Sequence, residues 1–168
     1  MQKTRQFQMT YSVLFVCMGN ICRSPTADGV LRKKVSLAGL SHAVRVDSAG
    51  THNYHPGSPP DKRSQKHANL RGYDLSDLRA RQVQATDFAA FDLILAMDWD
   101  NLALLQASCP LAHQYKLRRL TEFCQTFDAT VVPDPYHEGA AGFEKVLDLV
   151  EDACEGLMAH VRRQMASH

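Results

Sequence analysis

The feature that most constrains this chain is the unbroken apolar run at residues 12–16 (SVLFV), rich in β-branched residues and bounded by the turn signal Gly19-Asn20. A strand with one wet face alternates apolar and polar residues. This run does not alternate, so it predicts a strand buried on both faces, as in parallel sheets covered by helices on either side. Beyond it the period changes. From Pro25 onward, Ala27, Val30, Leu31, Val35 and Ala38 recur at helical spacing, with Ser24 as N-cap, Pro25 at the first helical position and Gly39 as the stop. Residues 44–49 read as a second strand, so the opening third is a strand-helix-strand unit, parallel and with a right-handed crossover.

The remainder continues the alternation. Residues 52–60, rich in Pro, Gly, His and Asn, predict a loop, and residues 61–71 a short helix ended by Gly72. Residues 92–97 (DLILAM) predict a third strand, and Asp98 caps a helix through Ser108 that Pro110 ends. Residues 117–120 give a weaker fourth strand before a loop over 122–142, and residues 143–165 a closing helix with Phe143, Val146, Leu147, Val150, Ala153, Leu157 and Val161 on one stripe. The fold class is therefore α/β: one domain, a parallel sheet flanked by helices on both faces, with no internal repeat or linker. Ligands in such folds sit beyond the carboxyl ends of the strands, where the strand order reverses.

A length of 168 residues suits one domain. With 19 Lys plus Arg against 18 Asp plus Glu, the formal charge of +1 gives no electrostatic case for a nucleic-acid or membrane partner. Charge is nevertheless uneven, basic over residues 1–45 and acidic over 128–155, which reads as two solvated faces. No apolar run approaches the ~20 residues of a membrane-spanning helix, and the polar first ten residues offer no signal peptide, so a cytoplasmic location is expected. Five cysteines, an odd number without a CxxC pair, argue against a disulfide framework and a standard zinc site. Reduced thiols, no metal and no cofactor are expected.

The chemistry lies between the first strand and the first helix, in Cys17-Met18-Gly19-Asn20-Ile21-Cys22-Arg23-Ser24-Pro25. A loop entering a helix N-terminus turns consecutive backbone N–H groups inward and adds the positive end of the helix dipole, which together make an anion site of phosphate size. Gly19 and Asn20 are residue types able to take the left-handed angles of a curled loop. A thiol there feels a field that favours the thiolate, Ser24 adds a hydrogen bond, and Arg23 offers a planar fork matching two phosphate oxygens. An ordinary thiol is already a few per cent ionised at neutral pH, so complete ionisation contributes only about 2 kcal/mol. Phosphate-monoester hydrolysis requires an acceleration toward ~10²¹, more than 20 kcal/mol, so the loop must act mainly on the transition state. The plain alternative is a buried strand-end thiol, a surface cation and an ordinary cap. The strand before, the Gly-Asn within and the Ser-Pro after weigh against it. Cys22 is also placed to close a protective disulfide with Cys17 under oxidation.

These residues closely resemble the loop of the low-molecular-weight protein tyrosine phosphatases, which reads V-C-x-G-N-x-C-R-S-P as in residues 16–25 here. Further landmarks follow in order: residues 46–51 (VDSAGT), Pro60-Asp61-x-Arg63, Ala80-Arg81-Gln82, Ala96-Met97-Asp98 and Asp134-Pro135-Tyr136. The resemblance implies a four-stranded parallel sheet, a phosphatase domain over residues 12–168 and a disordered N-terminal extension over 1–11. It further implies a phosphocysteine formed on Cys17, with Arg23 as the phosphate clamp and Asp134 as general acid and then base. A phenol leaves far more readily as neutral phenol than as phenolate, and a positioned acid is worth ~10²- to 10⁴-fold. Met18, Gly19, Asn20, Ile21, Cys22, Ser24 and Ser48 would bind or support phosphate, while Tyr54, Tyr136 and His137 would line the entrance for a flat phosphotyrosine ring. The implied partner is a phosphotyrosine protein, and the product inorganic phosphate.

There are departures. His137 stands where a second Tyr is common, Asp28 replaces the usual glutamate, and Leu78 occupies the place of a histidine that in some relatives ties into the loop asparagine. Asn20 is then expected to bond to Ser48 and Ser24 instead. A thiol-dependent arsenate reductase shares this fold and loop, but Cys109, Cys124 and Cys154 form no obvious relay pair. A catalytically silent phosphoprotein-binding module would need neither the nucleophile nor Asp134. A nucleotide switch would need the GxxxxGK[ST] loop, which is missing.

Overall fold

In the computed structural model, which describes residues 10–167, the apolar run forms β1 (Tyr11–Cys17), buried along nearly its whole length. Its side chains divide by parity, as a pleated strand requires. Val13, Phe15 and Cys17 join one core cluster and Leu14 and Val16 the other, so both faces are covered. Three strands run parallel to it: β2 (Val44–Gly50), β3 (Leu93–Ala96) and β4 (Leu117–Arg119), in the order β2-β1-β3-β4. α1 (Arg23–Leu37) and the long α5 (Ala140–Ala166) pack together over one face, with α2 (Lys62–Leu70) beside α5. The short α3 (Asp87–Ala90) and α4 (Trp99–Ser108) cover the other, through Phe88, Leu102 and Leu105.

β1 is the point where the strand order turns: the chain leaves it for β2 on one side and later returns to β3 on the other. The crevice that this reversal opens lies above the carboxyl end of β1, where Cys17 sits. None of the described helices is long and apolar enough to cross a membrane.

The helix ends follow the sequence signals in most places. Gly39 at φ 72° closes α1, where Gly39 N–H donates to Ser36 and Leu40 N–H to Val35, the paired bonds of a Schellman cap. Asp61 caps α2 by accepting from Arg63 N–H at 2.8 Å, and Asp98 caps α4 by accepting from Asn101 N–H at 2.8 Å. The basic and acidic ends of the sequence partly meet, since Lys34 pairs with Glu155 between α1 and α5.

Several boundaries differ. β1 begins at Tyr11, so the expected N-terminal extension stops at least one residue earlier, and its first nine residues lie outside those described. α1 begins at Arg23, with Cys22 rather than Ser24 as its cap residue. The Ser24 hydroxyl is taken up by Cys17 and Asn20, and Pro25 still falls in the first turn, where a missing N–H leaves no helical bond unmade. α3 and two 3-10 turns, Leu111–Lys116 and Leu120–Phe123, carry no periodic signal, because four to six residues are too few to show a period. α5 starts at Ala140, three residues before the apolar stripe.

Candidate active site

From the end of β1 the chain turns back tightly over the end of β2. Gly50 permits this: a Cβ there would lie 2.8 Å from the Met18 carbonyl oxygen. The curl needs one left-handed residue, and Asn20 at φ 58° supplies it. Gly19, expected to share that conformation, does not adopt a positive φ, and the nearest atom to a Cβ there would belong to His55.

The left-handed turn aims the Asn20 backbone N–H at the Cys17 sulfur, 3.3 Å away, and the Ser24 hydroxyl lies 3.1 Å from the same atom. Ser24 is in turn held by the Asn20 side chain, whose amide nitrogen donates to Ser24 Oγ at 2.7 Å and to Ser48 Oγ at 3.1 Å, as the sequence leads one to expect. A third anchor was not legible: Arg81 N–H donates to Asn20 Oδ1 at 3.0 Å. Leu78 packs with the apolar core instead of reaching the loop.

Arg23 is 2% exposed, and one edge of its guanidinium is fully engaged. Its Nη1 donates to Asp98 Oδ2 at 2.6 Å and to the Val132 carbonyl at 3.1 Å. Nη2 lies 3.9 Å from Asp134 Oδ2 at the mouth of the site. Asp98 was legible in the sequence as a helix cap and as part of the Ala96-Met97-Asp98 landmark, but not as a partner of Arg23. One of its oxygens does cap α4, while the other grips the arginine.

Sulfur, guanidinium and Asp134 face one cavity of about 290 Å³. Met18, Gly19, Ile21 and Cys22 form the rest of its floor, and Tyr54, Tyr136 and His137 its rim, together with His55, which sequence reasoning passed over. The missed signal is position: His55 follows Tyr54 on the same Pro- and Gly-rich loop and packs edge-on against it. Asn20, Ser24 and Ser48 do not line the cavity. They stand behind the loop and hold its shape through the bonds of Asn20 to Ser24 and Ser48.

The rim is less constrained than the floor. The Asp134 side chain is 48% exposed, and its Oδ1 accepts from Tyr136 N–H at 3.0 Å in a local turn. Arg63 ties this loop to α2, donating to the Tyr136 carbonyl at 2.9 Å with its guanidinium over the Tyr136 ring. Cys22, by contrast, is buried, and burial above all, with Asp61 adding to it, pushes its thiol up to about 12. It stays protonated at neutral pH, and no disulfide joins it to Cys17.

This arrangement fits what comparison with known proteins finds. Residues 12–167 match the family model described as low molecular weight phosphotyrosine protein phosphatase. The chain is 44% identical to a low molecular weight protein-tyrosine-phosphatase of Streptomyces coelicolor, an alignment covering 94% of this chain and 97% of that one. It is 40% identical to the human low molecular weight phosphotyrosine protein phosphatase, over 90% of this chain and 96% of that one. A crystal structure of the protein tyrosine phosphatase of Entamoeba histolytica, with Hepes in its active site, superposes with a TM-score of 0.90 at 42% identity, covering 92% of this chain and 99% of the other. With matches of this extent in sequence and in structure, the chain belongs to the low molecular weight phosphotyrosine protein phosphatase family.

Proposed function

We propose that this protein hydrolyses phosphotyrosine and related aryl phosphate monoesters through a phosphocysteine on Cys17. The observation that carries the reading is the convergence of the Cys17 sulfur, the Arg23 guanidinium and the Asp134 carboxyl on one cavity walled by tyrosines and histidines. The sulfur attacks phosphorus while the P–O bond to the aryl group breaks, and Asp134 gives its proton to the departing phenolic oxygen. Asp134 then takes a proton from water as that water attacks phosphorus, which releases inorganic phosphate and restores the thiolate.

Charge on the equatorial oxygens is met by the free edge of Arg23 and by loop amides, with the guanidinium pre-oriented by Asp98 and Val132. Because cation and amides already supply that charge, the reaction needs no metal. The flat rim suits a phosphotyrosine side chain, which reaches the sulfur where a shorter phosphoserine does not. A reducing compartment, the cytoplasm, suits a mechanism that depends on a free thiol.

Turnover of p-nitrophenyl phosphate with EDTA present, by wild type and Cys17→Ser, tests the reading. Wild type is expected to turn over and Cys17→Ser to fall to background while still binding a phosphate analogue, since a hydroxyl is barely ionised. Turnover surviving in Cys17→Ser would remove the covalent route. Loss of wild-type activity on chelation would remove the metal-free one.

A further inference from the structure

One buried carboxyl near the site has no part in the mechanism above. Asp28 lies one helical turn beyond Ser24 on the same face of α1 and is wholly inaccessible to solvent. Its Oδ1 accepts from the half-exposed Arg32 at 2.8 Å, but its Oδ2 is buried with no hydrogen-bond partner among the described residues. A buried acceptor left unpaired costs free energy.

Across from it on β2 is Ser48, two residues along from Val46, whose carbonyl accepts at 3.3 Å from the same Arg32 that holds Asp28, though Ser48 and Asp28 fall short of a formed bond. Ser48 Oγ accepts from Asn20, and its hydroxyl proton has no other acceptor among the hydrogen bonds of the described residues. An acceptor without a donor thus stands near a donor without an acceptor.

We propose that Asp28 is a positioning residue of the nucleophile loop: its carboxylate accepts a hydrogen bond from the Ser48 hydroxyl and so fixes the direction of the hydrogen-bond chain that runs through Asn20 and Ser24 to the Cys17 sulfur. With Ser48 donating to Asp28, the Ser48 oxygen is left to accept from Asn20 Nδ2. The second amide hydrogen of Asn20 goes to Ser24 Oγ, and the Ser24 proton is left for the sulfur at 3.1 Å, ahead of the longer alternative, the Ala49 carbonyl at 3.4 Å. Asn20 cannot flip without losing Arg81 N–H on its other end.

A protonated Asp28 reverses the first link. It donates to Ser48 Oγ, competes there with Asn20 and weakens the hold on Ser24. Burial pushes the Asp28 carboxyl up to about 6, so this reversal falls within the range where an enzyme can be assayed. The charged groups that face it are Arg32 on its own helix and Asp47 on β2, the latter held by Arg81. Asp74 and Asp77 enter the same groove as Arg32 from the segment packed over α1.

The inference rests on the phosphatase reading, and one experiment separates the two. The kcat/KM for p-nitrophenyl phosphate is measured for wild type and Asp28→Asn between about pH 5 and about pH 8, and the ratio of the two is read; ionisation of the substrate phosphate near ~6 is common to both and cancels. At neutral pH the variant is expected to be about tenfold slower, within the range spanned by couplings in hydrogen-bond networks. The ratio should fall toward one as the pH drops through about 6, because wild type then protonates into the state the variant mimics. Asp28→Glu, which keeps the charge, should recover part of the rate. A ratio that does not change with pH, or an Asp28→Asn as fast as wild type, overturns the proposal, and a purely structural role predicts the flat ratio. Should Asp28→Asn fail to fold, Ser48→Ala cuts the same link and must change the shape of the pH profile; the wild-type shape in Ser48→Ala overturns the proposal equally. Absence of wild-type turnover would take down the phosphatase reading and this inference with it, whereas turnover with a flat ratio takes down this inference alone.

Discussion

The floor of the cavity and its rim are built on opposite plans. On the floor, residues 17–24 are mostly buried and their polar side chains are engaged: Asn20 by three partners, Ser24 by Cys17 and Asn20, Arg23 by Asp98 and Val132. On the rim, Tyr54 is 60% exposed and Tyr136 42%, and the loop that carries Asp134 is held mainly by a local turn and by Arg63. In the proposed mechanism the two do different work. The floor must present its charge in place at the moment phosphorus becomes five-coordinate, so freedom there is harmful. The rim meets leaving groups of many shapes and delivers a proton to each, so some freedom there is useful.

If that division is right, floor substitutions should be costly for every substrate and rim substitutions costly only for some. Arg23→Lys should lower kcat by ~10³-fold or more, with aryl and activated phosphates losing alike, because an ammonium cannot span two oxygens while staying on Asp98 and Val132. Near-wild-type steady-state kinetics would show that the fork is not needed. Asp134→Asn should slow phenyl phosphate by ~10²- to 10⁴-fold but barely slow a substrate whose leaving group needs no proton. Equal losses on both would make Asp134 part of the floor in function, and the comparison would fail. Tyr54→Ala should raise KM for a phosphotyrosine peptide by about 3- to 10-fold with kcat little changed, the value of one aromatic contact at an exposed site. A change confined to kcat would instead place Tyr54 in the chemistry.

The same division explains how much the sequence disclosed. The double-faced burial of β1 could be read from its unbroken apolar run, and the anion loop from its position between strand and helix, because both depend on neighbours in the chain. Ser24 as a cap was the expected reading and Cys22 the outcome, since the hydroxyl is claimed by a sulfur seven residues back and an amide that only the folded curl brings near. The grip of Asp98 on Arg23 and the tie from Arg81 to Asn20 join residues more than 60 positions apart, and a single sequence carries no mark of such pairs. Gly19 shows the converse error. Its residue type permitted a left-handed backbone, but Asn20 alone turns the curl.

Asp98 carries a consequence beyond its two hydrogen bonds. A single carboxylate sets both where α4 starts and how the guanidinium is aimed, so the far sheet face and the phosphate cradle are not independent parts. Any strain that loosens the opening turn of α4, from a substitution in the Leu102 packing or from heat, is transmitted to the arginine without a residue of the cradle itself being touched. Damage to catalysis can therefore begin on the opposite side of the sheet from the helix that bears the arginine.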